Sequence, residues 1–181
     1  MINAIPTLYH GYRFRSRLEA RWAVFFDVLG VEFEYEPEGL FLSDGTQYLP
    51  DFYLPTFRCY FEVKRKGIKW TFEGDEAVRK ISDGCGRNWA GLITFGDPFD
   101  NDCTLFCQEF GVGDASLEVG FGFNSITRTS ALVIEDWSVK ERKFCLIEDG
   151  KVYSIPVIGK KDNNWNMALK AGYMARQADF R

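Results

Sequence analysis

Residues 48–64, YLPDFYLPTFRCYFEVK, alternate between apolar and polar side chains on both sides of a central turn. Because successive side chains of a strand point to opposite faces, this pattern predicts two strands, about 48–54 and 58–64, paired as an antiparallel hairpin. The turn falls near Pro55 and Thr56. One face must pack against helices, since it consists of Phe52, Leu54, Cys59, Phe61 and Val63.

The other face of the predicted hairpin is charged. A tight turn places Asp51 across from Glu62 and Tyr53 across from Tyr60, with Lys64 on the same face. Two carboxylates about 4 Å apart repel by roughly 4 kcal/mol at an effective dielectric of about 20. A cation must therefore compensate them, and the two alternatives are Lys64 in a structural ion pair or a divalent ion such as Mg²⁺.

The segment before the hairpin predicts a helix and a strand. Residues 16–30, SRLEARWAVFFDVLG, place apolar residues at helical spacing between Ser16, a suitable N-cap, and Gly30, a suitable C-terminal stop. Strict alternation follows and predicts a half-exposed strand whose wet side is formed by Glu32, Glu34 and Glu36.

The segment after the hairpin completes a recognisable order of elements. Residues 71–85 predict a helix that ends at Gly84 or Gly86, and residues 89–97 predict a short buried strand. Residues 97–125 allow no assignment. Further strands are predicted at 131–137, 142–148 and 151–158, and a last helix at 163–181. The predicted class is α/β (α+β), a mixed central sheet flanked by helices in α-β-β-β-α-β order, with additional C-terminal strands and a last helix.

Composition limits the class of protein and the kinds of catalytic site that this chain can form. The 181 residues are 46% hydrophobic, which predicts one globular domain over residues 1–181. No apolar run is long enough to span a membrane and no leader pattern is present, so a cytoplasmic location is expected. Five cysteines without CxxC spacing favour reduced thiols, with a metal site at Cys103 and Cys107 on one helical face as a weak alternative. Because His10 is the only histidine, the sequence gives little support to a Ser-His-Asp or Cys-His catalytic site.

Charge is unevenly distributed on this acidic chain, whose net charge is −4. Residues 11–22 and 58–69 form two basic strips, which are either solvated faces or phosphate contacts. The residues predicted to contact nucleic acid are Arg15, Arg17, Arg21, Arg65 and Lys66. Three tryptophans could stack on bases, but burial in the core is the favoured prediction for Trp70, Trp89 and Trp165.

The motif Pro50-Asp51, followed by Glu62-Val63-Lys64, resembles the PD-(D/E)XK nuclease superfamily and its restriction-endonuclease-like fold. The order of predicted elements resembles the core of that superfamily as well. The stretches FRSRLEARWAVFFDVLG, FEYEPEGL, YLPDFYLP and FEVK are similar to small phage and bacterial members. The resemblance covers about residues 11–96, which leaves about 97–181 as a C-terminal elaboration.

The resemblance implies a metal-dependent endonuclease that hydrolyses DNA phosphodiester bonds and leaves 5′-phosphates. Asp51, Glu62 and the Val63 carbonyl would hold Mg²⁺ or Mn²⁺, and Lys64 would position the attacking water. Glu19, in the helix before the sheet, would support the ion directly or through water. The alternative for Glu19 is a capping box, in which its side chain returns to the Ser16 amide.

Three questions stay open at the level of the sequence. A non-catalytic nucleic-acid-binding or protein-binding module on the same fold, for example a phage inhibitor of a host defence system, is the alternative to a nuclease. RNA is not excluded as the substrate, because nothing in the sequence reads a 2′-hydroxyl group. Whether two copies form a homodimer to cut both strands is likewise open.

Overall fold

The computed structural model describes residues 4–85, 90–100, 103–106, 116–124, 129–136, 141–148, 151–156 and 164–180. Within these ranges the strands and helices follow one another as β1 (Thr7–Tyr9), β2 (Tyr12–Phe14), α1 (Arg17–Leu29), β3 (Glu34–Tyr35), β4 (Leu40–Phe41), β5 (Gln47–Tyr48), β6 (Phe52–Leu54), β7 (Cys59–Lys64), α2 (Phe72–Cys85), β8 (Ala90–Phe95), β9 (Cys103–Phe106), β10 (Ser116–Asn124), β11 (Thr129–Asp136), β12 (Glu141–Glu148), β13 (Lys151–Pro156) and α3 (Asn164–Gln177). Short 3-10 turns occupy Pro55–Phe57 and Lys66–Ile68.

One mixed sheet organises the described part of the chain. Nine strands lie in the order β13-β12-β11-β10-β9-β8-β7-β6-β3. Strands β7 and β8 are parallel, and the other neighbouring strands are antiparallel. Helix α2 is the crossover that parallel strands require. The elements α1, β3, β6, β7, α2 and β8 follow the predicted α-β-β-β-α-β order, so the mixed α+β class is confirmed.

Helix α1 begins and ends where its sequence predicts. The Ser16 hydroxyl accepts a hydrogen bond from the Glu19 amide at 3.2 Å, which satisfies a donor of the first turn. At the other end Gly30 adopts φ 69°, in the left-handed region that favours glycine. The Gly30 amide donates to the Asp27 carbonyl, and the Val31 amide donates to the Phe26 carbonyl.

An aromatic core lies between α1 and one face of the sheet. Trp22, Phe26, Phe61 and Phe121 are fully buried. The Phe61 ring centroid lies 4.9 Å from that of Trp22 and 5.3 Å from that of Phe26, within the range of favourable aromatic pairs. The predicted apolar face of the hairpin is confirmed, since the side chains buried there are Phe52, Leu54, Cys59, Phe61 and Val63. Three buried alanines of α3, Ala168, Ala171 and Ala175, join the same core.

The opposite face of the sheet is covered by α2. Buried Ala77 and Ile81 of this helix pack with Ile93 of β8, and Tyr48 and Tyr60 border the cluster. The small β4-β5 hairpin packs on the end of the same helix. A Cβ atom at Gly84 would lie 3.1–3.3 Å from side-chain atoms of Leu40, Leu42 and Tyr48.

Two predicted strands are shorter than their sequence patterns. The strand predicted over 48–54 is reduced to β6, because Tyr48 pairs instead with Leu40 in a separate two-stranded sheet. Pro50 has no amide to donate, and the Val63 amide donates to the Asp51 side chain, so the ladder ends there. The strand predicted from Val31 is reduced to the two residues of β3, which pair with the three-residue strand β6.

The remaining predictions differ in outcome. The helical face proposed for Cys103 and Cys107 is wrong for Cys103, which lies in β9, while Cys107 lies outside the described residues. The strands near 131–137, 142–148 and 151–158 and the last helix are confirmed as β11, β12, β13 and α3. Within the described ranges, no helix is both long enough and apolar enough to cross a membrane.

Candidate active site

The β6-β7 hairpin brings the two predicted carboxylates together. Tyr53 pairs with Tyr60, which is the predicted register. One residue beyond the ladder, the Asp51 amide donates to Glu62 Oε2 at 3.3 Å. Asp51 and Glu62 are only 2% and 3% exposed. Two acids are thus buried side by side on the charged face, as the alternation predicts.

Each of the two carboxylates has one oxygen fixed by a donor and one oxygen that meets a long cationic side chain. Asp51 Oδ2 accepts from the Val63 amide at 2.8 Å, and Asp51 Oδ1 contacts the Arg15 guanidinium. Glu62 Oε2 accepts from the Tyr48 hydroxyl at 2.7 Å, and Glu62 Oε1 contacts the Lys64 ammonium. The fixed donors orient both groups, while the cationic partners can move aside by rotating about their own flexible side-chain bonds.

The pKa values of Asp51 and Lys64 reflect their burial and the charges around them. Burial, followed by the charges of Glu62 and Glu19, raises the pKa of Asp51 to about 7. Burial opposes the charged form of Lys64, but the carboxylates of Glu62 and Asp51 outweigh it and raise the pKa of the Lys64 ammonium. Lys64 is therefore protonated at neutral pH. Additional positive charge nearby would stabilise the ionised form of Asp51.

Glu19 lies next to the pair but is engaged in local contacts. It is 7% exposed. Its Oε1 accepts from the Ser16 hydroxyl at 2.7 Å, and its Oε2 accepts from the Arg15 amide at 3.1 Å and the Tyr35 hydroxyl at 2.7 Å. The capping-box alternative for Glu19 is met in part, because the Glu19 amide donates to the Ser16 hydroxyl but the carboxylate accepts from the Arg15 amide, one residue before the expected Ser16 amide. Glu19 thus ties α1 to the strand that carries Tyr35.

Arg15 connects the acids around the pair. Its guanidinium contacts Asp51, lies 3.1 Å from Glu36 Oε1 through Nε, and lies 3.9 Å from Glu19 Oε2. Glu36 is held in place by its own backbone, whose amide donates to the Asp51 carbonyl at 2.9 Å. Arg15 is predicted to contact nucleic acid, and the structure places it against three carboxylates, with its side chain about half exposed.

Three of the other predicted nucleic-acid contacts form ion pairs with acids other than Asp51 and Glu62. Arg21 pairs with Asp97 at 3.0 Å, Arg65 with Glu73 at 3.0 Å and Lys66 with Asp100 at 3.1 Å. Arg17 is exposed. Nucleic-acid binding stays a prediction for Arg17, Arg21, Arg65 and Lys66.

Trp70 departs from its prediction. Burial in the core is wrong for this residue, because 87% of the side chain is exposed. Ile68 takes the buried position of this segment instead, and the following turn directs Trp70 outward. Trp89 and the side chain of Trp165 lie outside the described residues.

Three residues of the site have no signal in the sequence pattern. Tyr48 orients Glu62, Tyr35 orients Glu19, and Glu36 binds Arg15. Tyr48 stands three residues before Asp51 in the stretch that predicts the hairpin, but period-two alternation says only that it is a strand residue. The contacts of all three depend on how separate elements meet, which spacing along the chain does not encode.

The donor set suits a hard divalent cation. In the described part of the chain, no group of three or more His, Cys, Asp or Glu residues is placed to hold a metal ion. Mg²⁺ commonly binds through only one or two carboxylates and retains several waters. Four carboxylates, Glu19, Glu36, Asp51 and Glu62, are joined here to two cationic side chains, Arg15 and Lys64. The local excess of negative charge and the oxygen-only donors fit Mg²⁺ or Mn²⁺.

Comparison with protein-family models, with curated proteins and with solved structures finds no match to this chain.

Proposed function

We propose that this protein is a metal-dependent endonuclease of the PD-(D/E)XK type that hydrolyses phosphodiester bonds in DNA. The proposal includes a restriction-endonuclease-like core over about residues 11–96. Its support is the combination of the α-β-β-β-α-β element order with Asp51, Glu62 and Lys64 on one face of the β6-β7 hairpin.

One observation carries the proposal: the two buried carboxylates each present one oxygen that is oriented but held only by a flexible cation. The Tyr48 hydroxyl and the Val63 amide fix the opposite oxygens, so both carboxylates are already oriented when a cation takes the place of Arg15 or Lys64. Burying two neighbouring acids also costs stability, and such costs concentrate at functional sites. The raised pKa of Asp51 fits a group arranged to receive a cation.

The residues can be assigned distinct roles. Asp51 Oδ1, Glu62 Oε1 and the Val63 carbonyl would hold Mg²⁺ or Mn²⁺, with Glu19 as a supporting residue. The bound ion would polarise the phosphate and lower the pKa of a coordinated water. Lys64 is an ammonium at neutral pH, so it acts as a hydrogen-bond donor that orients the attacking water and balances charge on the phosphate. Hydrolysis breaks the bond from phosphorus to the 3′ oxygen and leaves a 5′-phosphate.

Arg15 and Tyr48 would support these roles without touching the substrate. Arg15 would give up its contact with Asp51 Oδ1 to a divalent ion and would stay beside the site through its contact with Glu36. Tyr48 would keep Glu62 in one orientation. Both residues therefore prepare the carboxylates rather than react.

The test is a cleavage assay on single-stranded, duplex, nicked and branched DNA and on RNA, in Mg²⁺ or Mn²⁺ and in EDTA. We expect metal-dependent cleavage by the wild type and a loss of roughly 10²–10⁴-fold in Asp51→Asn and Lys64→Ala. Lys80→Ala is the matched control, because Lys80 also pairs with a glutamate, Glu76, but on the exposed side of α2. Equal cleavage by all four proteins would exclude the proposed active site.

A non-catalytic binding module on the same fold is the second candidate. The observation that favours it is that Arg15 and Lys64 already compensate Asp51 and Glu62 within the chain. Metal titration separates the two functions. A nuclease site gains stability when Mg²⁺ or Mn²⁺ binds the folded state, which raises Tm, whereas a module with a closed ion-pair network does not.

A further inference from the structure

A segment directly after Lys64 presents two aromatic rings to solvent. Strand β7 ends at Lys64, and residues 65–72 lead from it into the first turn of α2. Trp70 and Phe72 are 87% and 86% exposed, the highest values among the large apolar side chains that the structure describes. Two large rings this exposed so close to each other in sequence are unusual for a folded surface and indicate a binding role.

The backbone under these rings is well anchored. Ile68 is buried, and its carbonyl accepts from both the Thr71 amide at 3.0 Å and the Thr71 hydroxyl at 2.9 Å. A Cβ atom at Gly74 would lie only 2.0 Å from the same carbonyl oxygen, so α2 passes this turn at the closest approach that glycine permits. The backbone that carries the rings is therefore fixed before any ligand arrives, which reduces the entropic cost of binding.

The same segment is basic. Residues 64–72, KRKGIKWTF, contain four cationic residues and no acid. Lys69 Nζ lies 5.7 Å from the Trp70 ring centroid. Arg65 and Lys66 pair with Glu73 and Asp100 in exposed ion pairs, which contribute little and can be exchanged for phosphate contacts. Glu73 and Asp75, in the first turn of α2, limit how far along that helix a polyanion can extend.

We propose that Trp70 and Phe72 stack on unpaired bases of a DNA strand whose phosphates lie along Lys69, Lys66 and Arg65. The inference rests on the proposed function, since it places this strand beside the cleavage site at Asp51, Glu62 and Lys64. Bases within a duplex already stack on each other and expose no face, so the rings can act only on unpaired nucleotides. The substrate class is accordingly DNA with a single-stranded portion next to the scissile phosphate: a free strand, a flap or a branch.

Binding in EDTA tests the stacking without cleavage. Fluorescence anisotropy would compare a labelled thymidine oligonucleotide, a duplex of equal length and a uridine oligonucleotide. We expect the wild type to prefer the thymidine strand, and Trp70→Ala to weaken that binding by about tenfold or more. Trp70→Phe should retain most of it, because the ring remains. Phe41→Ala is the matched control, since Phe41 is also a largely exposed aromatic residue but lies on β4.

The outcomes separate this inference from the proposed function. If Lys64→Ala abolishes cleavage and Trp70→Ala with Phe72→Ala leaves the cleavage of single-stranded and branched DNA unchanged, the nuclease stands and the stacking segment is refuted. If neither the wild type nor any variant cleaves DNA, but binding of single-stranded DNA still depends on Trp70, the stacking segment is supported and the nuclease is not. Stronger binding of the uridine strand, or no nucleic-acid binding at all, would overturn the inference and point to RNA or to a protein partner. Unchanged Tm values would exclude unfolding of the variants.

Discussion

The two faces of the β6-β7 hairpin differ in the side chains that they bury and in how those side chains are stabilised. On one face Phe52 and Phe61 pack among the aromatic side chains of α1, with no polar group to satisfy. On the other, Asp51 and Glu62 are equally buried, and each oxygen needs a donor or a cation. The apolar face stabilises the fold, whereas the charged face costs stability that the apolar face must offset.

This difference supports the charged face as the candidate functional site. A chain selected only for stability would replace a buried pair of acids by apolar residues, which is often neutral or stabilising. The charged face instead keeps both acids and surrounds them with oriented donors. Replacing one of the two acids should therefore raise stability, whereas truncating a ring on the apolar face should lower it.

The largest expected effect is on the apolar face. Phe61→Ala removes a fully buried ring that contacts Trp22, Phe26 and Phe121, and leaves a cavity. We expect the free energy of unfolding to fall by about 3–5 kcal/mol. Urea denaturation measures it, with the exposed Phe41→Ala expected to stay within about 0.5 kcal/mol of the wild type. A loss as small as that of the control would mean that the core does not depend on this ring.

The next effect has the opposite sign and lies on the charged face. The pKa of Asp51 is raised from an ordinary 3.8 to about 7, so between these pH values the folded state holds more protons than the unfolded state. Stability therefore falls as pH rises from about 4 to 7, by at most about 4 kcal/mol. Asp51→Asn removes this loss, and we expect its Tm in EDTA to exceed that of the wild type increasingly from pH 5 to pH 8.

Thermal melts across this pH range check the prediction, and Mn²⁺ sharpens it. Wild-type protein should gain Tm on adding Mn²⁺ at pH 8, whereas Asp51→Asn should gain little. If the Tm values of the two proteins changed in parallel with pH, the pKa of Asp51 would not be raised in the folded state.

The smallest effect concerns the orientation of Glu62. Tyr48→Phe removes the hydroxyl that donates to Glu62 Oε2 at 2.7 Å and leaves the longer hydrogen bond from the Asp51 amide at 3.3 Å. We expect a loss of about 1 kcal/mol in unfolding free energy and a smaller Mn²⁺-induced rise in Tm. Tyr173→Phe, on the exposed side of α3, serves as the control and should alter neither quantity.

Local patterns were sufficient for much of the fold. Period-two alternation predicts the register of Tyr53 with Tyr60, and capping residues predict both ends of α1. These features depend on neighbours in sequence or on a single tight turn. Strand lengths could not be predicted from the local pattern. Strands β3 and β6 end where their partners end, and Pro50 interrupts the hydrogen-bond ladder.

The candidate site was predicted only in part. The hairpin register brings Asp51 and Glu62 together without further information, but the contacts of Arg15 with Asp51 and Glu36 join three separate elements. Trp70 illustrates the same limit, because its exposure depends on the turn formed by Ile68 and Thr71 and not on its own hydrophobicity. Long-range contacts such as these require the assembled sheet.

The close approach of α3 to the loop after β8 has a consequence for how the protein is made. A Cβ atom at Gly172 would lie 2.7 Å from the Phe99 Cα, so helix and loop fit together without space between them. These residues are far apart in the chain, and a ribosome synthesises Phe99 long before α3. The core between α1 and the sheet, to which α3 contributes Ala168, Ala171 and Ala175, can therefore close only after α3 has been synthesised.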